Sequence, residues 1–222
     1  MSSKTKVGVG IPCYKPHLAT LWRLLDSIAT QTVVPDIVVV ETSSTSDVDV
    51  DASKLGHYGF ELHVIAVPER RNASENRNAT IQLLLDNNCT IISMLDADDI
   101  MHPQRMEFVH AAIDAGAEIV LHNFTSDMTG ALPLYAAPKV EIGTIFPMTN
   151  WCEVRHVGGK QLHHAHVTFT DVIARKFKYR PEKQYERTED SWFCNDVLKS
   201  GHVPAYVDNV LSRYVPAGSW VC

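Results

Sequence analysis

The sequence predicts an α/β fold in which a single domain is built on a mostly parallel sheet flanked by helices. Strand-like and helix-like segments alternate through the first half of the chain, as in consecutive βαβ units. In addition, the apolar run over residues 91–95 stops abruptly at three carboxylates, those of Asp96, Asp98 and Asp99. Parallel sheets bind ligands at the carboxyl ends of their strands, so this acidic cluster marks a candidate site.

The elements of the first half follow from local patterns. Short apolar or β-branched runs predict strands over 6–11, 36–40, 62–67, 91–95 and 118–122. Apolar residues at helical spacing predict helices over 18–28 and 74–87, and Pro103 fits the first turn of a third helix that ends near Gly116. This order of elements is typical of a sheet covered by helices on both faces.

The pattern is less regular in the second half. Residues 125–160 carry several prolines and glycines among aromatic residues, which predicts a long loop or a small β-excursion. A strand-like stretch follows over 165–172, and a helix is predicted over 188–200. Thr188 is a suitable N-cap for this helix and Gly201 a suitable C′ residue.

The composition excludes several classes of protein. The 222 residues carry a net charge of −6 and are 45% hydrophobic, which fits a globular domain but not a general nucleic-acid binder with a basic stripe. No apolar run approaches the roughly 18 residues that span a bilayer, and no signal-peptide core follows the first residues. The five cysteines are scattered and form no CxxC pair, which argues against a disulfide framework. We therefore expect a cytoplasmic protein without an integral membrane segment.

The acidic cluster has two interpretations. Three carboxylates within four positions repel one another unless a positive group lies among them. A divalent cation that also holds a phosphate would supply this charge, because hard cations prefer oxygen ligands. Alternatively, Asp98 or Asp99 is simply the N-cap of the helix that follows.

Five motifs, in the same order, resemble those of the family 2 glycosyltransferases of the GT-A fold. They are VGVGIPCYKP (in the family V-x-I-P-x-Y-N), IVVVETSST (I-x-V-V-D-D-G-S-T), SENRNATI (A-R-N-x-G), SMLDADDIMHP (x-L-D-x-D-D-x-x-x-P) and RTEDSWF (x-E-D-x-D-x). The resemblance covers roughly residues 6–200. It implies a nucleotide-binding half over about 1–122 and an acceptor-binding half over about 123–222.

The resemblance also implies roles at the matching positions. It places the nucleotide sugar against Pro12, Tyr14, Glu41, Arg77, Asp96 and Ala97. It gives Asp98 the coordination of Mn²⁺ or Mg²⁺ on the diphosphate, and Asp190 the role of general base toward the acceptor hydroxyl. The chemistry agrees, because a cation stabilises the departing diphosphate and a carboxylate activates a poor nucleophile. The implied enzyme is an inverting, metal-dependent glycosyltransferase that moves one sugar from a nucleoside diphosphate sugar, with UDP favoured, to a hydroxyl of a glycan.

The chain departs from the family pattern at a few positions. Lys15 replaces an asparagine, Glu41 replaces an aspartate, and Thr80 and Ile81 stand where a glycine is usual, so these departures concern the nucleotide base more than the fold. Two other functions stay open. A sugar-1-phosphate nucleotidyltransferase would need a glycine-rich loop after the first strand, which the chain lacks. An inactive sugar-nucleotide-binding module would not need both of the proposed carboxylates.

Several further residues have open roles. Glu189 either orients the acceptor or is a structural acid of the first helical turn, and Trp192 either stacks on a sugar or packs in the core. His164 and His166 would share a strand face, where one of them would complete the metal site or both would be structural, with His102 as a rival ligand.

Two alternatives concern packing alone. Arg77 would be a surface residue if it paired with Glu75 or Glu69 on its own side of the helix. The large indole rings of Trp151 and Trp220, like that of Trp192, are candidate core anchors.

Overall fold

The computed structural model describes residues 5–46, 58–149 and 151–215. The strands are β1 (Val7–Tyr14), β2 (Ile37–Ser43), β3 (Glu61–Val67), β4 (Ile91–Met94), β5 (Ile100–Met101), β6 (Ile119–Thr125), β7 (Val140–Ile142), β8 (Ile145–Pro147), β9 (Val154–His156), β10 (Thr168–Thr170) and β11 (Pro204–Arg213). The helices are α1 (Leu18–Ala29), α2 (Ala73–Asp86), α3 (Arg105–Asp114), α4 (Asp171–Lys176) and α5 (Glu189–Lys199). Within these ranges no helix is long and apolar enough to cross a membrane.

Nine of the strands form one mixed sheet in the order β3-β2-β1-β4-β10-β6-β11-β5, with β7 beside β11. The first four strands of this order are parallel, and so are β6 and β11. Strand β10 runs antiparallel between β4 and β6, while β8 and β9 form a separate hairpin. The predicted α/β fold with a mostly parallel sheet is confirmed. Because β2 and β4 lie on opposite sides of β1, the chain has a topological switch point at β1, where α/β sheets bind ligands.

Helices bury both faces of the sheet. Helices α1 and α3 pack on one face, and α2, α4 and α5 pack on the other. Successive residues of β1 face opposite sides of the sheet. Val9 and Ile11 belong to the core under α1 and α3, while Gly8 lies against α2. A Cβ atom at Gly8 would overlap the side chain of Leu84, so glycine is what allows α2 to pack closely on the strand.

The predicted ends of the elements need some correction. Strand β1 continues through Pro12 to Tyr14 instead of ending at Ile11. A proline is tolerated there because β4 pairs with β1 only as far as Gly10, which leaves one side of the later residues free of a neighbouring strand. The excursion predicted over 125–160 contains the short strands β7 to β9.

Two predictions in the second half are wrong. The strand expected over 165–172 is reduced to Thr168–Thr170, because residues 164–166 form a 3-10 turn before it and α4 begins directly after it. Trp151 is not a core anchor, since 58% of it is exposed. Trp220 lies outside the described residues. The predicted late helix is confirmed as α5, and Gly201 after it adopts a positive φ of 83°, as a C′ glycine does.

Candidate active site

A cavity of about 400 Å³ opens at the carboxyl ends of β1, β2 and β4. Its walls come from the end of β1, from the turn before α2 and from the acidic cluster, with three residues of the second half closing it. The lining side chains include those of Pro12, Tyr14, His17, Ser43, Arg70, Arg71, Asn76, Arg77, Asp96, Asp98, Glu186, Glu189 and Tyr214. The sheet topology therefore brings four of the predicted nucleotide-side residues to one cavity, namely Pro12, Tyr14, Arg77 and Asp96, while Glu41 and Ala97 do not line it.

The three carboxylates of the acidic cluster face three different environments. Asp96 accepts a hydrogen bond from Arg77 Nη2 at 2.7 Å at the cavity wall. Asp98 lines the cavity. Asp99 is fully buried and points away from the cavity, where it contacts His166 and the backbone N–H of Val215. The alternative that one of them caps the next helix is wrong, because the N-cap residue of α3 is Gln104.

Asp98 has the electrostatics of an acid that a cation would stabilise. Burial, together with the charges of Asp99 and Asp96, raises its pKa to about 6, although His17 opposes this. The imidazole Nε2 of His17 lies 3.7 Å from the Asp98 carboxylate. Arg23 Nη2 donates to the backbone carbonyl of Asp98 at 2.9 Å. Positive charge that enters the cavity would stabilise the ionised carboxylate of Asp98.

Arg77 links three parts of the site. It lies in α2, is 4% exposed, and pairs with Asp96 after β4 and with Glu189 at the start of α5. Burial alone would lower its pKa, but the two carboxylates outweigh burial and raise the pKa above its ordinary value. The predicted partner Glu75 instead forms a capping box with Asn72 at the start of α2, a pattern that the sequence N-x-x-E could have revealed. Arg77 therefore fixes the distance between the acidic cluster and α5.

Behind the acidic cluster lies a buried polar network. His166 Nε2 contacts Asp99 at 2.6 Å, and its Nδ1 contacts the Ser212 hydroxyl at 2.6 Å. Burial raises the pKa of Asp99 to about 7 and, more than any neighbouring charge, lowers that of His166 well below its ordinary value. The fully buried Arg105 donates through Nη2 to the carbonyl oxygen of His166 at 3.0 Å. This network anchors the acidic cluster to the sheet.

Arg105 continues the network toward β4 and β6. Its Nη2 also donates to the carbonyl of Met94 at 3.1 Å, directly before the acidic cluster, and its Nε donates to His122 Nε2 at 2.8 Å. Burial lowers the pKa of Arg105 to about 9, so the guanidinium is still charged at neutral pH. Sequence reasoning missed both Arg105 and His122, because neither stands in a motif that indicates a site.

One end of the cavity is built by β1, β2 and the turn before α2. Tyr14 is 45% exposed at the cavity mouth, and its ring lies edge-on to His17 with 4.2 Å between the centroids. Glu41 is buried and forms an ion pair with Arg71, and burial raises its pKa despite that partner. Arg71 lines the cavity and Glu41 does not, so Glu41 influences the cavity by holding the guanidinium of Arg71. Ala97 is fully buried, and its carbonyl accepts a hydrogen bond from Thr20 Oγ1 at 3.2 Å.

Asp190 lies one residue beyond Glu189, outside the cavity wall and half-buried. One of its oxygens accepts the backbone N–H of Ser191 at 2.8 Å. Its charge acts on His163, His164 and Tyr214. The Asp190 carboxylate therefore lies near the histidine-rich segment and Tyr214.

Tyr214 and His163 lie close enough to the acidic cluster and to Asp190 for the charges of both to act on them. Their rings pack at 4.8 Å between centroids, and His163 also stacks on His166 at 4.1 Å. Burial raises the pKa of Tyr214, and the charges of Asp99, Asp98, Asp96 and Asp190 add to this effect. Neither residue stands in a motif of the sequence, so only the fold reveals their position.

The remaining predicted residues lie at the edge of the site. Trp192 packs under Arg180, whose guanidinium carbon is 4.6 Å from the indole centroid. Both ring nitrogens of His102 form hydrogen bonds, one with the carbonyl oxygen of Pro133 and the other with the N–H of Gln104. His164 Nε2 accepts the N–H of Val154 at 3.3 Å.

The donor set suits a cation that is shared with a ligand. Among the residues that the structure describes, no group of three histidine, cysteine or acidic side chains converges as a closed metal site. Both ring nitrogens of His166 and of His102 already have protein partners. Asp98, with Asp96 nearby, leaves oxygen donors at the cavity wall, which fits Mg²⁺ or Mn²⁺ bound through one or two carboxylates plus substrate phosphates.

Comparisons with known proteins agree with this geometry. A sequence profile described as Glycosyl transferase family 2 matches residues 8–195. A sequence search of curated proteins finds no match.

Two solved structures show the same fold as this chain. The chain is similar to S. aureus TarS 1–349 in complex with UDP, at 13% identity and a TM-score of 0.70 over 96% of this chain and 61% of that one. The similarity to S. aureus TarS 1–349 in complex with UDP-GlcNAc is 13% identity and a TM-score of 0.71 over 98% and 62%. The chain therefore spans about three fifths of these structures, and the likeness shows a shared fold.

Proposed function

We propose the activity from the premise that the chain belongs to glycosyl transferase family 2 and is a glycosyltransferase. In this proposal it transfers one sugar from a UDP-sugar to an acceptor hydroxyl, with inversion and with a divalent cation. The observation that carries this proposal is the position of Arg77. Its ion pairs with Asp96 and Glu189 hold the acidic cluster and the start of α5 against one cavity. The proposal places the departing diphosphate at the acidic cluster and the base at the start of α5.

The cavity wall supplies the contacts of the donor. In this proposal the base and ribose lie between Tyr14, Pro12 and the Glu41–Arg71 pair, while Asp96 and the buried Ala97 turn support the nucleoside side. The UDP and UDP-GlcNAc complexes of TarS support uridine as the base. Residues 1–122 would accordingly form the nucleotide-binding half and 123–222 the acceptor-binding half.

Asp98 would hold Mn²⁺ or Mg²⁺ against the diphosphate. When bound, a divalent cation supplies the positive charge that stabilises the diphosphate as it leaves. The raised pKa of Asp98 supports this role, because a carboxylate pressed by Asp96 and Asp99 gains from a nearby cation.

Asp190 would accept the proton of the acceptor hydroxyl. It lies in the first turn of α5, where the positive end of the helix dipole stabilises negative charge. Glu189 is held by Arg77 and so would orient the donor and the helix rather than take a proton. A base on the side opposite the leaving diphosphate gives a single displacement, which inverts the anomeric centre.

The direct test is turnover with a small set of donors. The protein is incubated with UDP-, GDP- and dTDP-sugars, with and without Mn²⁺, and the release of nucleoside diphosphate is measured. We expect release from UDP-sugars that depends on the metal. Consumption of pyrophosphate would instead identify a nucleotidyltransferase, and tight donor binding without any release would identify an inactive binding module.

A further inference from the structure

A buried amide oxygen without a partner lies in the wall of the donor cavity. Asn76, in α2, lines this cavity and is only 3% exposed. Within the described part of the chain, its Oδ1 atom is buried and accepts no hydrogen bond. Leaving such an oxygen unpaired costs free energy, so its position in a cavity wall indicates that a ligand supplies the missing donor.

The other end of the Asn76 amide fixes its orientation. Nδ2 donates to the carbonyl oxygen of Cys13 at 2.9 Å and to the Ser43 hydroxyl at 3.2 Å. A carbonyl oxygen can only accept, and the Ser43 hydroxyl gives its own proton to the carbonyl oxygen of Arg71 at 3.4 Å. A flipped amide would set Oδ1 against the Cys13 carbonyl oxygen. Oδ1 is therefore the atom that is left for a ligand.

Asn76 and its partner Ser43 both depart from the family motifs. Asn76 stands at the alanine of A-R-N-x-G, and Ser43 at the last glycine of I-x-V-V-D-D-G-S-T. Alanine and glycine carry no polar side-chain atom, so the hydrogen bond between these two side chains is a feature of this chain and not of the motifs. Buried polar groups are costly unless they are paired, and here the pair leaves one acceptor free.

The position of Asn76 selects the part of the donor that would reach it. The oxygens of a diphosphate only accept hydrogen bonds at neutral pH, so an amide oxygen would repel them. Through Cys13 and Ser43, Asn76 is bonded to the ends of β1 and β2. These strand ends form the part of the cavity that the proposed function gives to the nucleotide base.

We propose that Asn76 Oδ1 accepts the ring N3–H of a pyrimidine imide, uracil or thymine, and thereby rejects cytosine. In an imide this N–H lies between two carbonyl oxygens, whereas the same ring position of cytosine carries a lone pair and no hydrogen. Arg71 lines the same cavity, and its guanidinium has N–H donors beyond the one that pairs with Glu41, which suit a flanking carbonyl oxygen. The inference rests on the proposed function, because it takes this cavity as the donor site.

The test measures base preference by calorimetric titration with Mn²⁺ present. The probes are UDP, N3-methyl-UDP, CDP, dUDP and dTDP, and the proteins are the wild type, Asn76→Ala and Asn78→Ala. Asn78 is the matched control on the same helix, because its amide forms two hydrogen bonds of 2.8 Å with the backbone of Tyr179 but does not line the cavity.

We expect the wild type to bind UDP about 10- to 100-fold more tightly than CDP or N3-methyl-UDP, since both analogues leave Oδ1 unpaired. In Asn76→Ala the affinity for UDP should fall about tenfold and that for CDP should change little. N3-methyl-UDP should then bind as well as UDP, because the alanine offers neither an acceptor nor a clash. Asn78→Ala should keep the wild-type ratios. Tight binding of dUDP or of dTDP supports the inference and shows which imide fits the cavity.

Three results would overturn this assignment. The first is equal affinity of the wild type for UDP and N3-methyl-UDP, which does not depend on the folding of any variant. The second is a ratio of UDP to CDP affinity that is the same in Asn76→Ala and the wild type. The third is a preference for UDP over dUDP that disappears in Asn76→Ala, which would place a ribose hydroxyl on Oδ1.

The proposed function fails on a different readout, namely the absence of nucleoside diphosphate release from every donor by the wild-type protein. A wild type that releases UDP from UDP-sugars but binds CDP as tightly as UDP would contradict the role of Asn76 alone. The two failures are therefore distinguishable.

Discussion

The two sides of the site are built in different ways. The proposed donor side is formed by the ends of long parallel strands, and its charged groups are paired with one another, as Arg77 is with Asp96 and Glu189. The half proposed to bind the acceptor includes the three-residue strands β8 and β9 and the loop between them, where Trp151 is 58% exposed. Buried ion pairs fix geometry, whereas exposed side chains on short elements adapt to what they bind.

This difference matches the demands of the proposed reaction. The leaving diphosphate and its cation need groups that are already oriented before the transition state forms. The acceptor needs only to present one hydroxyl to Asp190. We therefore expect changes on the donor side to alter chemistry and stability together, and changes on the acceptor side to alter saccharide affinity.

The largest effect should come from Asp190, where the two sides meet. Asp190→Asn keeps the size of the side chain but cannot accept the acceptor proton, so kcat should fall by about 10²- to 10⁴-fold. The affinity for UDP should stay the same, because Asp190 does not line the donor cavity. Transfer rates and UDP titrations check both expectations. The exposed Glu182→Gln, in the segment before α5, is the control; full activity in Asp190→Asn would place the base elsewhere.

Removing Arg77 should affect stability most. Arg77→Met leaves Glu189 buried without its partner, and loss of one member of a buried ion pair costs about 3–5 kcal/mol. Urea unfolding should show this loss, while Arg175→Met, which breaks the exposed pair with Asp171, should cost less than about 1 kcal/mol. The double variant Arg77→Met/Glu189→Leu should regain part of the stability. An unchanged midpoint in Arg77→Met would mean that the two sides are not held together by this residue.

These two residues also show how much the sequence can predict. The strands and helices of the first half follow from local apolar periodicity. The motifs single out Asp98 and Arg77, which line the cavity, and Asp190, which lies outside its wall. The different environments of the three carboxylates could not be predicted in this way, because they depend on partners that are far away in the sequence. Asp99 is set apart from Asp98 by contacts with residues 67 and 116 positions away in the chain.

The acceptor side was harder to predict for the same reason. The pattern of the histidine-rich stretch 163–166 predicts a strand. In the structure residues 164–166 form a 3-10 turn, and the carbonyl oxygen of His166 accepts a hydrogen bond from Arg105. Trp151 and Trp192 are equally apolar in sequence, and only their neighbours decide that Trp192 packs under Arg180 while Trp151 is exposed. Short elements have weak local signals, so their geometry comes from tertiary contacts.

Asp98 tests whether the donor side depends on a cation. Asp98→Asn should weaken metal-dependent UDP binding by about 100-fold, or roughly 2.7 kcal/mol, because the charged ligand is lost. Titrations of UDP with and without Mn²⁺ measure the effect. The metal-free affinity should change little or improve, since a carboxylate that repels the diphosphate is removed. Equal Mn²⁺ dependence in the variant and wild type would exclude Asp98 as the ligand.

A smaller effect should appear in the pH dependence of stability, through the buried network behind the acidic cluster. Burial, with Arg105 and His166 nearby, lowers the pKa of His122 well below its ordinary value of 6.5. Below that value the unfolded chain binds a proton that the folded protein does not, so the free energy of unfolding decreases as the pH falls. Between pH 7.5 and 5.5 we expect His122 to account for a loss of about 1.4 kcal/mol.

The His122→Gln variant isolates this contribution. Glutamine can still accept the Arg105 Nε–H but takes up no proton, so the slope of stability against pH should be shallower than in the wild type. Urea unfolding at several pH values measures both proteins. Parallel slopes for His122→Gln and wild type would show that this histidine is protonated equally in both states.

The smallest effect should come from Tyr214, which the second half of the chain contributes to the donor cavity. Its ring packs against His163, while its hydroxyl lies where the charges of Asp98 and Asp190 both act on it. A phenol there can donate to a donor phosphate, so Tyr214→Phe should raise the donor KM by about 3- to 10-fold, equivalent to roughly 0.5–1.5 kcal/mol. Stability should not change, because the ring and its packing stay. Tyr185→Phe, which alters a phenol packed on Arg180 instead, serves as the control in the same kinetic assay. An unchanged donor KM with a lower kcat in Tyr214→Phe would instead assign the Tyr214 hydroxyl to the acceptor side of the site.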